Sequence, residues 1–309
     1  MNKPFSRSGE RQRLPPWFKM RLTTNGLNAT VRRLVSDHNL HTVCHSAACP
    51  NRTECWNAGI ATFMILGDIC TRNCGFCGIS KGSPQDMDMR EPHRVASAVF
   101  ALNLRYVVIT SVTRDDLSDG GAGLFSATIQ SVRKKCPGCR VEVLVPDFKG
   151  SVQSLETVID ALPDVLSHNI ESVPSLYHMV RPQADYGRSL ELLRRARGHG
   201  AITKSGIMLG LGESISEVRS VMHDLYRAGC SILTLGQYLQ PDRDCLTVQR
   251  YYHPDEFALL RNEALSMGFH SVVAGPLVRS SYRAGKYCGN DEDTDEDATG
   301  TNPLQPNDS

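Results

Sequence analysis

The stretch ATFMILGDICTRNCGFC (61–77) runs from an apolar, partly β-branched segment directly into a polar loop bearing three cysteines. The first part, ATFMIL (61–66), reads as a strand, and the same texture returns at YVVIT (106–110), VEVLV (141–145), VLSHNI (165–170), IMLGL (207–211) and ILTLGQYL (232–239). Helix-like stretches separate these runs. The helical period is clearest where Ile215, Val218, Val221 and Leu225 recur, and again at Phe257, Leu260, Ala264 and Met267. Strict alternation of strand and helix implies parallel strands joined by crossovers, so an open or closed α/β barrel is favoured over a sandwich, with a doubly wound sheet as the alternative. In either architecture an active site lies at the carboxyl ends of the strands. Polar or glycine-rich segments do follow the apolar runs there: GDICTRNC, SVTRDDLSDGG, HNIESVP and LGLGE.

At 309 residues the chain has room for one catalytic domain of about 250 residues with appendages. Lys plus Arg number 34 against 33 Asp plus Glu, so no broad positive field attracts nucleic acid or anionic lipid. No apolar run approaches the ~20 residues of a membrane span, and the start MNKPFSRSGERQRLPPWFKMRL lacks the apolar core of a secretory signal. A soluble, cytoplasmic protein is expected. In that compartment the 11 cysteines read as metal ligands before disulfides, and six of them (Cys44, Cys49, Cys55, Cys70, Cys74 and Cys77) crowd into one short region. Residues 1–59 are expected to form an arm carrying the first three, basic at its start and marked by Pro15 and Pro16; 60–277 the catalytic domain; 278–288 a closing segment; and 289–309, acidic and poor in apolar residues, a disordered tail.

Cys70, Cys74 and Cys77 form C-x3-C-x2-C on the loop above a strand end. Three soft thiolates suit an iron–sulfur cluster, and because a saturated cluster takes four, three leave one iron open to a small molecule. A structural zinc knot is the alternative, but the loop offers no His to complete four-coordination. CTRNCGFC (70–77), with Phe76 before the last cysteine, resembles the signature of the radical S-adenosylmethionine superfamily. The resemblance implies a 4Fe-4S cluster whose open iron chelates the amino and carboxylate groups of S-adenosylmethionine, and a low-potential electron that cleaves it to methionine and a 5'-deoxyadenosyl radical.

The second set, Cys44, Cys49 and Cys55, has the spacing C-x4-C-x5-C and is again one ligand short. Read together as CHSAACPNRTECWNAGIATFMILGDIC (44–70), the two sets resemble the lipoyl synthase family. The likeness continues through SVTRDDLSDGGA (111–122), PDFKG (146–150), VRPQADYGRSL (180–190), KSGIMLGLGE (204–213), LTLGQYLQP (233–241) and VRSSY (278–282), covering nearly everything from 14 to 285. It implies a partial (β/α)6 TIM-like barrel with N-terminal and C-terminal extensions. It also implies a second, auxiliary 4Fe-4S cluster on Cys44, Cys49 and Cys55, with Ser281 as its fourth ligand and Ser280 as the competing assignment. A hard alkoxide on iron is released more readily than a thiolate, which fits a cluster that gives up sulfur. Arg279 is expected as a neighbouring cation, a surface salt bridge being its plainer role.

The activity the resemblance implies is radical insertion of two sulfur atoms at the sixth and eighth carbons of a protein-bound octanoyl-lysine, sulfur coming from the auxiliary cluster. An unactivated methylene offers nothing to an acid or a base, so radical abstraction at close range is the chemically adequate route. Implied partners are octanoylated lipoyl-carrier domains (2-oxoacid dehydrogenase E2 subunits and the glycine cleavage H protein), a ferredoxin or flavodoxin electron donor, and an iron–sulfur carrier protein. Asp119, Gly120 and Gly121 are candidates for the methionine end of S-adenosylmethionine, and Asn169, Glu171, Lys204 and Glu213 for its ribose or carboxylate; hydrogen bonds capping a strand or helix are the alternative for each.

Cys136 and Cys139, in KKCPGC, read as a helix-end turn, and Cys230, Cys245 and Cys288 as packing or surface residues. Cys245 departs from the family pattern, where His is common. The rival functions are a methylthiotransferase-like radical enzyme, which usually has an added RNA- or protein-binding domain, and a non-catalytic iron–sulfur or zinc protein.

Overall fold

The computed structural model describes residues 13–18, 27–46, 49, 51–57, 61–282 and 284–287; Cys288 and the acidic segment 289–309 lie outside them. Seven parallel strands follow one another in space as they do in sequence: β1 (Thr62–Ile65), β2 (Tyr106–Ser111), β3 (Arg140–Leu144), β4 (Val165–Ser167), β5 (Thr203–Leu209), β6 (Ile232–Gln237) and β7 (Ser271–Gly275). Between them run α1 (Glu91–Ala101), α2 (Ala122–Lys135), α3 (Val152–Ile159), α4 (Tyr186–Gly198), α5 (Ile215–Arg227) and α6 (Pro254–Met267). A doubly wound sheet reverses its strand order at a switch point. Here the order never reverses, which is the winding of a (β/α)6 barrel with one further strand. The edge of β1 pairs not with β7 but antiparallel with His41–Thr42, so the barrel is partial.

Local signals account for the elements. Val107, Val108 and Ile109 are all buried, as expected of a parallel strand covered on both faces. Ser214 and Glu217 form a capping box that starts α5, and His253, Pro254 and Glu256 start α6 in the same way, with Gly268 in the left-handed conformation ending it. Two apolar clusters fill the layer between strands and helices. One packs Phe63, Ile109 and Val143 against Val99, Phe125 and Val158, and the other packs Leu209 and Leu235 against Val221, Leu225 and Phe257. Each such side chain contributes about 1.5–3 kcal/mol.

The strand expected across 165–170 stops at Ser167; the chain turns at Glu171, whose φ is 67°, and pairs with β5 again through a bridge to Ile207. Conversely β5 begins four residues before the expected run, at Thr203. Among the described residues of the arm, Trp17 packs edge-on against His253, and Phe18 against Tyr251. No described helix is long and apolar enough to cross a membrane.

Candidate active site at the carboxyl ends of the strands

Beyond β1, Ile69–Cys70 pairs in parallel with Ser80–Lys81, and the Gly82 N–H closes onto the Cys70 carbonyl at 3.0 Å. This ribbon makes the neck of a loop that carries Cys70, Cys74 and Cys77. Its crown is tied to the rest of the barrel mouth: Gly75 N–H donates to the Val180 carbonyl at 3.0 Å, and Leu246 N–H donates to the Gly75 carbonyl at 2.8 Å. A Cβ on Gly75 would lie 2.7 Å from the Met179 carbonyl oxygen, so only glycine permits this approach. Cys245 donates its thiol to the Cys77 carbonyl at 3.5 Å, which gives that buried residue a place in the wall of the ligand loop.

Burial, aided by the neighbouring thiols, pushes the Cys74 thiol up and the Cys77 thiol up to about 12. Arg181 and Arg72 act against this at Cys74. Cys49 in the other set shows the same balance, raised by burial and by Cys44 and lowered by Arg279 and Arg52. Buried thiols grouped in this way ionise only opposite strong positive charge, and bound metal deprotonates coordinating thiols outright. The donor chemistry therefore fits iron–sulfur clusters. Among the described residues no three His, Cys, Asp or Glu side chains converge to hold a metal ion.

The segments bearing Cys44, Cys49 and Cys55 meet a late segment of the chain. Cys44 lies on the short helix Val43–Ser46, and its carbonyl accepts from Cys49 N–H at 3.3 Å; Cys55 lies on Arg52–Asn57. The segment bearing Ser280 and Ser281 is fastened to that second helix by two bonds, Asn51 Nδ2 to the Leu277 carbonyl at 2.6 Å and Tyr282 hydroxyl to Glu54 at 2.9 Å. Gly236 permits the crossing: a Cβ there would be 2.1 Å from the Val278 carbonyl oxygen. Arg279 is half-buried, and it donates to the Gln237 carbonyl at 3.1 Å and the Val278 carbonyl at 2.8 Å. Cys49 and Glu171 both lie within reach of its charge.

The other expected contacts divide. Glu171 is half-buried, feels Cys74 and Cys77, and accepts from Asn169 Nδ2 at 3.1 Å; desolvation raises its carboxyl, against the pull of Arg181 and Arg279. Asn169 Oδ1, Ser111 Oγ and Ser167 Oγ are buried at or just past strand ends with no partner in the protein, as befits the wall of a site for a polar cofactor. Asp119 instead accepts from Gly121 and Gly123 N–H at 2.8 Å each, and Gly120 N–H donates to the Leu117 carbonyl, so this segment caps α2. Glu213 turns back on its own loop, accepting from Gly210 and Leu211 N–H and from the Tyr252 hydroxyl. Lys204 is not brought to the site. It lies near the amino end of β5, ~16 Å along the strand from Leu209, with its ammonium 2.9 Å from Glu142.

Arg181 was not anticipated from the sequence. It is buried beside Cys74 and Glu171, and donates to the Asn169 carbonyl at 2.8 Å. Its signal was present in VRPQADYGRSL, a charged residue within a segment that carries the family likeness.

Three thiols on the loop after the first strand of a partial parallel barrel, facing buried polar groups at the ends of later strands, define a radical S-adenosylmethionine protein, and residues 64–225 match the Radical SAM superfamily. The fold agrees with that class: methylornithine synthase superposes with a TM-score of 0.53 at 14% identity, covering 82% of each chain, and a maturase of the FeFe-hydrogenase with 0.51 at 15% identity, covering 72% of this chain and 58% of the other. Such enzymes use a 4Fe-4S cluster with S-adenosylmethionine. Within the superfamily the chain belongs to the lipoyl synthase family. It is 53% identical to the lipoyl synthase of Rubrobacter xylanophilus over 283 residues, 91% of this chain and 88% of the relative. To that of Symbiobacterium thermophilum it is 54% identical over 274 residues, 88% and 86% of the two chains.

Proposed function

We propose that this chain is a lipoyl synthase that holds two 4Fe-4S clusters and inserts two sulfur atoms, at the sixth and eighth carbons, into a protein-bound octanoyl-lysine. The observation that carries the reading is that two three-cysteine sets are each fastened to the barrel mouth, the loop of Cys70, Cys74 and Cys77 through Gly75 to Val180 and Leu246, and the segment of Cys55 through Asn51 and Glu54 to Leu277 and Tyr282. When bound, the cluster on Cys70, Cys74 and Cys77 supplies the electron that cleaves S-adenosylmethionine, and the cluster on Cys44, Cys49, Cys55 and Ser281 supplies the sulfur.

The protein's own part is positioning and exclusion of water. Asn169, Glu171 and Arg181 line the wall where the ribose and the charged methionine end of S-adenosylmethionine would be bound, and their burial strengthens each polar contact. Arg279 sets a positive charge within reach of Cys49, and one of its terminal nitrogens donates hydrogen bonds to two backbone carbonyls. Ser281 Oγ would hold the auxiliary cluster beside Cys44, Cys49 and Cys55 as its hardest ligand and the one most readily protonated. Octanoylated carrier domains of 2-oxoacid dehydrogenases and of the glycine cleavage system would present the substrate, a ferredoxin or flavodoxin the electron, and an iron–sulfur carrier the replacement cluster.

Anaerobically reconstituted protein, incubated with an octanoylated carrier domain, S-adenosylmethionine and reductant, should contain about eight irons per chain and form lipoyl groups with two 5'-deoxyadenosines each. Cleavage of S-adenosylmethionine without any sulfur on the octanoyl chain would contradict the reading.

A further inference from the structure

The ligand loop is gripped by a side chain that belongs to neither ligand set. Arg72 stands between Cys70 and Cys74 and is 4% exposed. Its Nε and a terminal nitrogen hold Asp115 side-on at 2.7 and 2.9 Å, and the same terminal nitrogen reaches Asp147 at 2.6 Å. Asp115 follows β2 and Asp147 follows β3, so one guanidinium ties three consecutive strand-end loops together. Asp147 is fully buried and takes Arg188 at 3.1 Å on its second oxygen, which balances two carboxylates with two guanidinium groups. Thr71 doubles the attachment: its N–H and hydroxyl both donate to the Thr113 carbonyl, at 3.0 and 2.9 Å, and its hydroxyl accepts from Asp115 N–H at 3.0 Å.

The backbone N–H of Arg72 points at the Cys70 sulfur, 3.4 Å away. Hydrogen bonds to ligating sulfurs are among the levers that set a cluster's reduction potential. The side-chain grip thus fixes the direction of a bond made by the same residue's backbone.

We propose that Arg72 is a positioning residue for the radical-generating centre: by clamping Asp115 and Asp147 it aims its own N–H at the Cys70 sulfur and holds the three-thiol loop in the shape that takes S-adenosylmethionine. This rests on the reading that Cys70, Cys74 and Cys77 hold the cluster. Lysine keeps the charge but lacks the planar fork that spans two carboxylates, so Arg72→Lys separates clamp from charge.

The test compares Arg72→Lys and the milder Asp115→Asn with the unsubstituted chain. In metal-free protein, amide hydrogen exchange across 70–77 should be at least ten-fold faster in Arg72→Lys. In reconstituted protein of equal iron and sulfide content, the potential of the Cys70 cluster should fall, because a donor to its sulfur is lost, and the S-adenosylmethionine concentration that half-converts the electron paramagnetic resonance spectrum of the reduced cluster should rise at least ten-fold. Asp115→Asn should move all three readouts the same way by a few-fold. If Arg72→Lys does not fold or load, Asp115→Asn decides alone. Exchange, potential and half-conversion all unchanged within two-fold in a loaded variant overturns the proposal. Absence of any cluster or of any response to S-adenosylmethionine in the unsubstituted chain overturns instead the reading on which it rests.

Discussion

Lys204 and Glu142, 1% exposed each, meet inside the lower barrel, and Tyr106 adds a hydroxyl to Glu142 at 2.6 Å. Removing one member of such a pair strands a buried charge and costs about 3–5 kcal/mol, whereas replacing both by apolar residues is often neutral. Lys204→Met should therefore lower the unfolding free energy by about 3–5 kcal/mol in denaturant titration, and Glu142→Leu with Lys204→Met should restore most of it and keep S-adenosylmethionine cleavage. A folded double variant without cleavage would return Lys204 to the cofactor. His168 gives a second test. It is 1% exposed, and burial, with Arg181 and Arg72 nearby, lowers its pKa from 6.5 to about 4. The folded chain thus resists a proton that the unfolded chain accepts below pH 6.5, so stability is complete above that pH and falls by about 3 kcal/mol on the way to pH 4. Asp147, lowered to about 2 by Arg72 despite its burial, adds its own loss only below its ordinary 3.8. His168→Gln should flatten the slope between pH 6.5 and 4; an unchanged slope assigns it elsewhere. At this scale the cysteines were legible because ligand spacing lies within one loop. Lys204, Glu213 and Arg72 were not, because a polar residue near a strand does not disclose whether its partner is a cofactor or a distant carboxylate.

The strands and helices were legible where the pattern is long and apolar. YVVIT and the repeat Ile215, Val218, Val221, Leu225 both became what their periods require. VLSHNI did not stay a strand throughout: His168 turns its ring to the Val145 carbonyl and to Ser189 of α4, and Glu171 takes a positive φ that ends the ladder. SVVAG (271–275), short and ending in Ala and Gly, carried little signal although it pairs with all of β6 but its last residue. The crossing of β6 by the Ser281 segment depends on a contact between residues 236 and 278, which no local pattern encodes. Gly236→Ala should push that segment away, leaving S-adenosylmethionine cleavage but dropping bound iron from about eight to about four per chain. Full iron content with normal sulfur insertion would show that the crossing is not needed.

Across the whole molecule, sequential strand order gathers every strand end at one mouth, and the chain's early and late segments close over it through Asn51 with Leu277 and Glu54 with Tyr282. Strand–helix alternation announced a barrel, but its opening at the β1 edge is a property of pairing and not of any single segment. The account requires a division of labour between two thiol sets sharing this mouth. It is tested most directly by measuring 5'-deoxyadenosine and lipoyl product, under one set of anaerobic conditions, in Cys70→Ala and Cys49→Ala. Cys70→Ala should form neither, while Cys49→Ala should form 5'-deoxyadenosine and no lipoyl group. Equal loss of 5'-deoxyadenosine in both variants would contradict it.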